Sequence, residues 1–348
     1  MIGPNAAFLR YIGAVLPALG ELDVTQSTVD ELTARVATRA EDSAELAQLK
    51  GDERWADVLR CTVYGAIDKP QDSIQIPLSG RRYRVPVERL RRYVDDVRRS
   101  GVPYAIGRER LAMTVAEDAR RQKEHIGGSP NDAETRRCAH SNELQAWLAG
   151  VWPAVDAPST VRLLLTDPDE LAAVSRGVWN ETEQALLTAD AQSRNQRTAQ
   201  WSVADAVLID EVEGLFRRTE LFGHVILDEA QDLSAMQLRA IARRAQAGSV
   251  TVLGDIAHGT SPWSTTDWAT SLASLGKSEA VVRVLTRGYR VPREILDVAN
   301  RLLPDLAPLL SPATSVRPGR GSVSVHRLCP RCASRQADQL TRRSEVLE

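Results

Sequence analysis

The stretch from His224 to Asp255, HVILDEAQDLSAMQLRAIARRAQAGSVTVLGD, constrains the fold most. Two short apolar runs, HVIL and SVTVL, flank one segment of helical character. That order predicts a βαβ unit, since parallel strands need a crossover connection and a helix supplies it. Parallel strands are covered on both faces, which accounts for their nearly continuous apolar character. Both runs end in acid: the first enters Asp228 and Glu229, the second Gly254 and Asp255. In a parallel sheet, strand C-termini collect at one edge, where ligands bind.

Composition bounds what surrounds this unit. The chain has 348 residues, 43% hydrophobic and 26% charged, enough for two domains with cores of their own. The net charge of −2 excludes a globally basic protein, so any basic surface is local. No apolar run reaches the length of about 18 residues that a membrane span needs. Arg10 interrupts the first apolar stretch, which does not read as a signal peptide. Four cysteines, Cys61, Cys138, Cys329 and Cys332, suit a reducing cytoplasm. Cys329 and Cys332 have CxxC spacing without a second pair. An incidental tail sequence is a simpler reading of them than a metal site.

The texture divides the chain into five parts. Residues 1–40 predict a helix from Phe8 to Leu16, ended by Gly20, and a strand over LDVTQS. Residues 41–150 are rich in arginine. SIQIPLSGRRYRVPV alternates around Ser79-Gly80 and predicts a hairpin, followed by amphipathic helices over VERLRRYVDDVRRS and RERLAMTVAEDARRQKEHI. Residues 151–278 return to α/β texture around the βαβ unit. Residues 279–328 predict a strand over AVVRVL, a helix over VPREILDVANRLL and a strand over GSVSVHRL. Residues 329–348 form a tail without pattern.

Adjacent carboxylates at a strand end cost free energy unless something pairs with them. Mg²⁺ held together with nucleotide phosphates suits them, because it uses few protein carboxylates and keeps waters. The second carboxylate can then orient or deprotonate an attacking water. The alternative is an acidic helix N-terminus, where the dipole favours Asp and Glu. IDEVEGL, from Ile209 to Leu215, has the same look of a strand running into DE, with nothing supportive after it.

The surroundings of Asp228 and Glu229 carry a resemblance. LDEAQD resembles motif II of the UvrD/Rep-like superfamily 1 helicases, VLGDIAH their motif III and LTRGYR their motif IV. The segments IGPNAAFLRYIGAVLPALGELDVTQST and WSVADAVLIDEVEGLF resemble the HelD-like branch, which is associated with bacterial RNA polymerase. The resemblance implies a RecA-like parallel sheet of P-loop NTPase type, a helical arginine-rich insertion and the start of a second RecA-like domain. It implies ATP and Mg²⁺ as cofactors. By the same resemblance Asp228 holds Mg²⁺, Glu229 is the general base, Gln231 senses the γ-phosphate, and Asp255 links the nucleotide to DNA. Arg290 acts as an arginine finger, and Tyr289 packs near the nucleotide or in a core.

The departures are specific. His258 stands where the family has glutamine, and Gly288 where it has asparagine. No GxxxxGK[ST] phosphate loop precedes the motif Ia segment, and motifs V and VI do not follow motif IV. Ser271 to Ser278, SLASLGKS, ends in Gly-Lys-Ser but lacks the first glycine and a leading strand, and reads as a loop. The chain accordingly reads as an internal part of a helicase.

From Arg81 to Lys123 basic residues outnumber acidic ones, with Tyr83, Tyr93 and Tyr104 interleaved. Such a surface suits a single strand or a duplex backbone. Solvated helix faces, with Arg92 near Asp95 and Asp96, are the plainer reading. In the HelD-like branch this region also suits a protein partner. The expected function is a partial superfamily 1 ATPase acting on DNA or RNA polymerase in the cytoplasm, with no membrane partner. The alternative is a non-catalytic protein that binds DNA or RNA polymerase.

Overall fold

Asn5 opens the first helix, α1 (Ala6–Val15), by accepting the Phe8 N–H at 2.9 Å. The helix tightens into a 3₁₀ turn and stops at Gly20, whose φ of 84° needs no side chain to clash. These elements belong to a computed structural model that describes residues 1–21, 23–189, 200–246, 248–265, 267–306 and 311–317. The protein is mixed α/β with small parallel sheets, and it divides into two units, Met1–Ala280 and Val281–Glu348.

Within the first unit, the segment LDVTQS does not form the expected strand. Among the described residues it contributes one parallel bridge, from Ser27 to Ile2. Helix α2 (Val29–Thr33) follows, closed by a capping box between Thr28 and Glu31.

A helical body comes next. It comprises α3 (Ala44–Lys50), α4 (Trp55–Gly65), β1 (Ile74–Leu78), β2 (Arg81–Val85), α5 (Val87–Arg99) and α6 (Tyr104–His125). It continues through α7 (Asp132–Ala139), α8 (Asn142–Val151), α9 (Ala157–Thr166), α10 (Pro168–Ser175), α11 (Glu181–Thr188) and α12 (Val203–Phe216). The expected hairpin forms by antiparallel pairing of β1 and β2. Ser79 (φ 50°) and Gly80 (φ 79°) are both left-handed, as a two-residue turn matching strand twist requires. Ile74, Ile76, Leu78, Tyr83 and Val85 point inward. One hydrophobic cluster runs from Leu46 to Met236 and includes the buried Trp55, Tyr104, Trp152 and Trp179. Helices α9 and α12 pack into the same core as α4 and α6, so this core is continuous across residue 150.

The segment IDEVEGL lies inside α12 and ends no strand. A capping box at Ser202 and Asp205 starts the helix, and every residue from Asp205 to Val212 is buried. A helix buried all round loses the one-faced pattern that distinguishes it from a strand.

The parallel unit forms as its sequence predicts: β3 (His224–Leu227), α13 (Ala235–Arg244) and β4 (Ser249–Val252), with His224 opposite Ser249 and Leu227 opposite Val252. Helix α14 (Trp268–Ser274) packs on α13. A second core, with Ile2, Val29, Leu227, Leu238, Ile241 and Leu272, lies under this sheet.

Where α12 meets α13, charge replaces apolar packing. Asp210 pairs with Arg244 at 2.7 Å, Arg243 at 2.6 Å and Arg35 at 3.1 Å. Glu211 pairs with Arg239 at 3.0 Å and with Arg243. A Cβ on Gly214 would lie 2.7 Å from Arg243 Nε, so the bare glycine is what lets that guanidinium lie along α12. Lys50, also buried, bridges Asp42 and Asp205 at 2.7 Å each. Buried ions of this kind persist because each is paired.

In the second unit the AVVRVL run is not a strand. Val281, Val284 and Leu285 are exposed, and regular pairing is confined to β5 (Arg287–Gly288). α15 (Arg293–Asn300) and α16 (Leu303–Leu306) follow, and β6 (Thr314–Ser315) pairs in parallel with β5. Branched residues favour a strand only when a neighbour takes up the backbone hydrogen bonds, and no described strand pairs with 281–285. The expected strand over 321–328, Cys329 and Cys332 lie outside the described residues. Among the described residues, no helix is long and apolar enough to cross a membrane.

Candidate functional site

The carboxylate pair sits where the chain leaves β3. The N-terminal segment runs beside the strand: Ile2 donates to the Ile226 carbonyl at 2.7 Å, and Asp228 donates to the Ile2 carbonyl at 3.1 Å. At Glu229 the backbone turns left-handed, with φ 51° and ψ 40°. For a non-glycine residue this costs on the order of 1 kcal/mol. Two bonds hold it there: Glu229 N–H to Asp228 Oδ1 at 3.0 Å, and Ala230 N–H to the Leu253 carbonyl at 3.0 Å.

The turn brings Glu229 against Gln231. The buried Gln231 donates Nε2–H to Glu229 Oε2 at 2.7 Å, and its Oε1 accepts the Asp255 N–H at 3.0 Å. One amide therefore connects the ends of both parallel strands. Gly254 makes room for it, since a Cβ there would lie 2.5 Å from Gln231 Oε1 and 2.7 Å from the Trp268 ring. The Gly-Asp pair that closes β4 thus has a steric cause.

Asp232, the third carboxylate, has a different task. It accepts from Thr260 N at 2.6 Å, Thr260 Oγ1 at 2.8 Å, Ser261 N at 3.0 Å and Ser264 Oγ at 2.8 Å. Trp263 donates its indole N–H to the Asp232 carbonyl at 2.8 Å. Burial alone would raise the carboxyl's pKa, but the Thr260, Ser264 and Ser261 donors outweigh it and hold Asp232 below the usual carboxylate range. Asp232 therefore anchors the 260–264 loop. Sequence reasoning gave it no role, although the hydroxyl-rich TSPWS was the available signal.

Asp228 and Glu229 face a cleft of about 520 Å³, lined also by Gly3, Asn5, Thr28 and Asp30. Among the described residues, no lysine or arginine lines it. Burial, and then the adjacent Glu31, push the Asp30 carboxyl above its ordinary value. Among the described residues, no group of three His, Cys, Asp or Glu could hold a metal. An all-protein metal cage is therefore not what this edge offers. Mg²⁺ differs in taking one or two carboxylates and completing its shell with waters and phosphate oxygens. Asp228 fits that role as a single ligand.

Asp255 accepts the Ala257 N–H at 3.0 Å, and its other oxygen lies 3.1 Å from His258 Nδ1. Arg290 and Tyr289 belong to the second unit. Tyr289 is 75% exposed and so takes no core position. Arg290 is exposed, and its carbonyl accepts from Arg317 Nη1 at 3.1 Å.

SLASLGKS is helical up to Ser274 and only then turns, so the expected loop is shorter than its sequence suggested. Gly276 is left-handed at φ 65°, and Lys277 N–H returns to the Leu272 carbonyl at 2.8 Å. This is a helix C-terminal turn, whose free carbonyls disfavour phosphate. Lys277 Nζ donates to the Gly248 carbonyl at 3.1 Å.

No family model matches the chain, and no curated protein matches it.

Proposed function

We propose that the chain is part of a RecA-like ATPase of the superfamily 1 helicase type, with the ends of β3 and β4 as its Mg²⁺–ATP edge. The observation that carries this reading is Gln231, which ties Glu229 to Asp255 across two parallel strand ends. Asp228 would hold the metal through one carboxylate, and Glu229 would take a proton from, or orient, a water in the cleft. Gln231 transmits any displacement of Glu229 to the backbone of Asp255, and from there to the 256–258 turn. Mg²⁺ at Asp228 would supply neutralisation of phosphate charge. With a phosphate-binding loop to complete the site, such a protein couples ATP hydrolysis to movement on DNA or remodelling of RNA polymerase in the cytoplasm.

A second reading, a non-catalytic protein that binds DNA or RNA polymerase, is favoured by one feature. Among the described residues, the cleft is lined by carboxylates and by no lysine or arginine. Phosphoryl transfer depends on positioning and charge stabilisation, and an acid-lined cleft repels phosphates that nothing else holds.

Both readings agree that residues 1–348 alone turn over little ATP. A steady-state ATPase assay with Mg²⁺ and single-stranded DNA tests this. The expected rate is far below the ~1 s⁻¹ of ordinary enzymes. Turnover at that level, lost in Lys277→Ala, would make SLGKS the phosphate site and overturn the assignment.

A further inference from the structure

Two segments with the sequence of a strand find no strand beside them, and their surfaces match. The first leads up to Ser27. Exposure alternates along it as on a half-covered strand: Asp23 and Thr25 are exposed, Val24 and Gln26 half-buried. Among the described residues, no backbone N–H from Asp23 to Gln26 donates a hydrogen bond, and pairing begins only at the bridge from Ser27 to Ile2. Val24 lines a groove of about 560 Å³ together with Leu16, Leu32, Phe222 and Ile226. The groove lies at the start of β3, beside His224, whereas Asp228 follows the strand's other end. Glu21 and Asp23 line it too, are exposed, and stand in no ion pair among the described residues. No described lysine or arginine lines it, and its one amine, at Met1, donates to the Thr25 carbonyl at 2.6 Å.

The second segment is Val281–Arg287, in which every residue is exposed. Leu285, at 86%, has almost no cover. Drawn out as a strand, it would put Val282, Val284 and Thr286 on one face. The other face would carry Val281, Arg283, Leu285 and Arg287. Its two charges are both positive, with Glu279 lying just before it. An uncovered run of branched apolar residues of this kind seeks a pairing partner.

The two patterns are complementary. A strand laid beside residues 21–26 continues their alternation, with apolar side chains entering the groove next to Val24 and charged ones standing outside by Glu21 and Asp23. Val282 and Val284 fit the groove. Arg283 and Arg287 fit the acids, because opposite charges on neighbouring strands attract. The added strand also takes up the free backbone N–H groups, as an extended peptide does at an open sheet edge. We infer that the groove beside Asp23–Gln26 is a docking site for the Val281–Arg287 segment of a second copy of this chain. Charge selects this occupant, since an acid-rimmed apolar groove takes a strand that is apolar on one face and basic on the other. Exchange of segments between two copies makes the contact twice and closes the assembly as a dimer. Each contact is one short strand held partly by exposed charge, so the dimer is weak and salt-sensitive.

The test is sedimentation equilibrium of the full chain over a concentration series, with two charge-reversed variants. The parent should pass from monomer to dimer as concentration rises. The groove variant E21K/D23K and the strand variant R283E/R287E should each weaken dimerisation by about tenfold or more, because like charges then face each other. An equimolar mixture of the two variants should dimerise as the parent does. In the mixture each lysine groove meets a glutamate strand, and each acidic groove an arginine strand. All four side chains are exposed, so neither variant should melt differently from the parent, and rescue in the mixture shows that both are folded. A parent that stays monomeric, single variants that dimerise like the parent, or a mixture that stays monomeric would each overturn the inference. The last result would place the segment's partner within its own chain or on a different protein.

Discussion

Gln231 accepts the backbone N–H of Asp255 at 3.0 Å, although the two residues close different strands. The contact survives only because Gly254, between strand and aspartate, has no Cβ.

Gly254→Ala is accordingly expected to force Gln231 off Asp255. Overpacking of this kind costs about 1–3 kcal/mol, read as a lower midpoint in urea unfolding. Gly65→Ala is the comparison, since no described neighbour lies within 4 Å of a Cβ there. An alanine at 254 that is as harmless as one at 65 would dismiss the steric account of the Gly-Asp pair.

The seam between α12 and α13 makes a stronger demand. Asp210 and Arg244 are both only 3% exposed. Asp210→Ala leaves a buried guanidinium without its main partner and should cost about 3–5 kcal/mol. Arg35, at the exposed rim of the same network, should cost within about 1 kcal/mol when changed to alanine. Equal losses from the two variants in denaturant melts would show that burial does not set the strength of this network.

The same carboxylates set the acid limit of the fold. Burial works against ionisation of Asp118, Asp210 and Asp232, yet the hydrogen bonds and arginines around them win and lower all three. A lowered folded pKa gives stability that is complete above the unfolded value of about 4 and lost as pH falls through the folded values. Asp30 is shifted the other way by burial and Glu31, so mild acid relieves it first. Unfolding free energy should therefore stay level or rise slightly down to about pH 4 and then fall steeply. Loss of stability beginning near pH 6 would point to histidines instead.

Legibility in the sequence followed the range of the interactions. The hairpin was readable because alternation and the Ser79-Gly80 turn are local, and β3 and β4 were readable because each is a short apolar run ending in acid. AVVRVL misleads because branched residues specify a strand only beside another strand. IDEVEGL misleads because a helix buried on all sides shows no face. The arginine network was invisible for a different reason: Arg35 and Asp210 are 175 residues apart in sequence. At the candidate site, Asp228 and Glu229 stood out as unusual charge at a strand end. Asp232 looked like part of the same cluster until its hydroxyl and amide donors identified it as a loop anchor.

The most direct test of the Asp228 edge uses Mn²⁺ as a paramagnetic stand-in for Mg²⁺. Titration of Mn²⁺ without nucleotide into the ¹⁵N-labelled chain should broaden the backbone amides of Asp228, Glu229 and Asp30, three of the residues lining the cleft. Asp228→Asn should abolish that broadening while leaving the rest of the spectrum unchanged. Amides around the cleft that stay sharp, or broadening that persists in Asp228→Asn, would contradict the assignment of this strand end as the metal–nucleotide site.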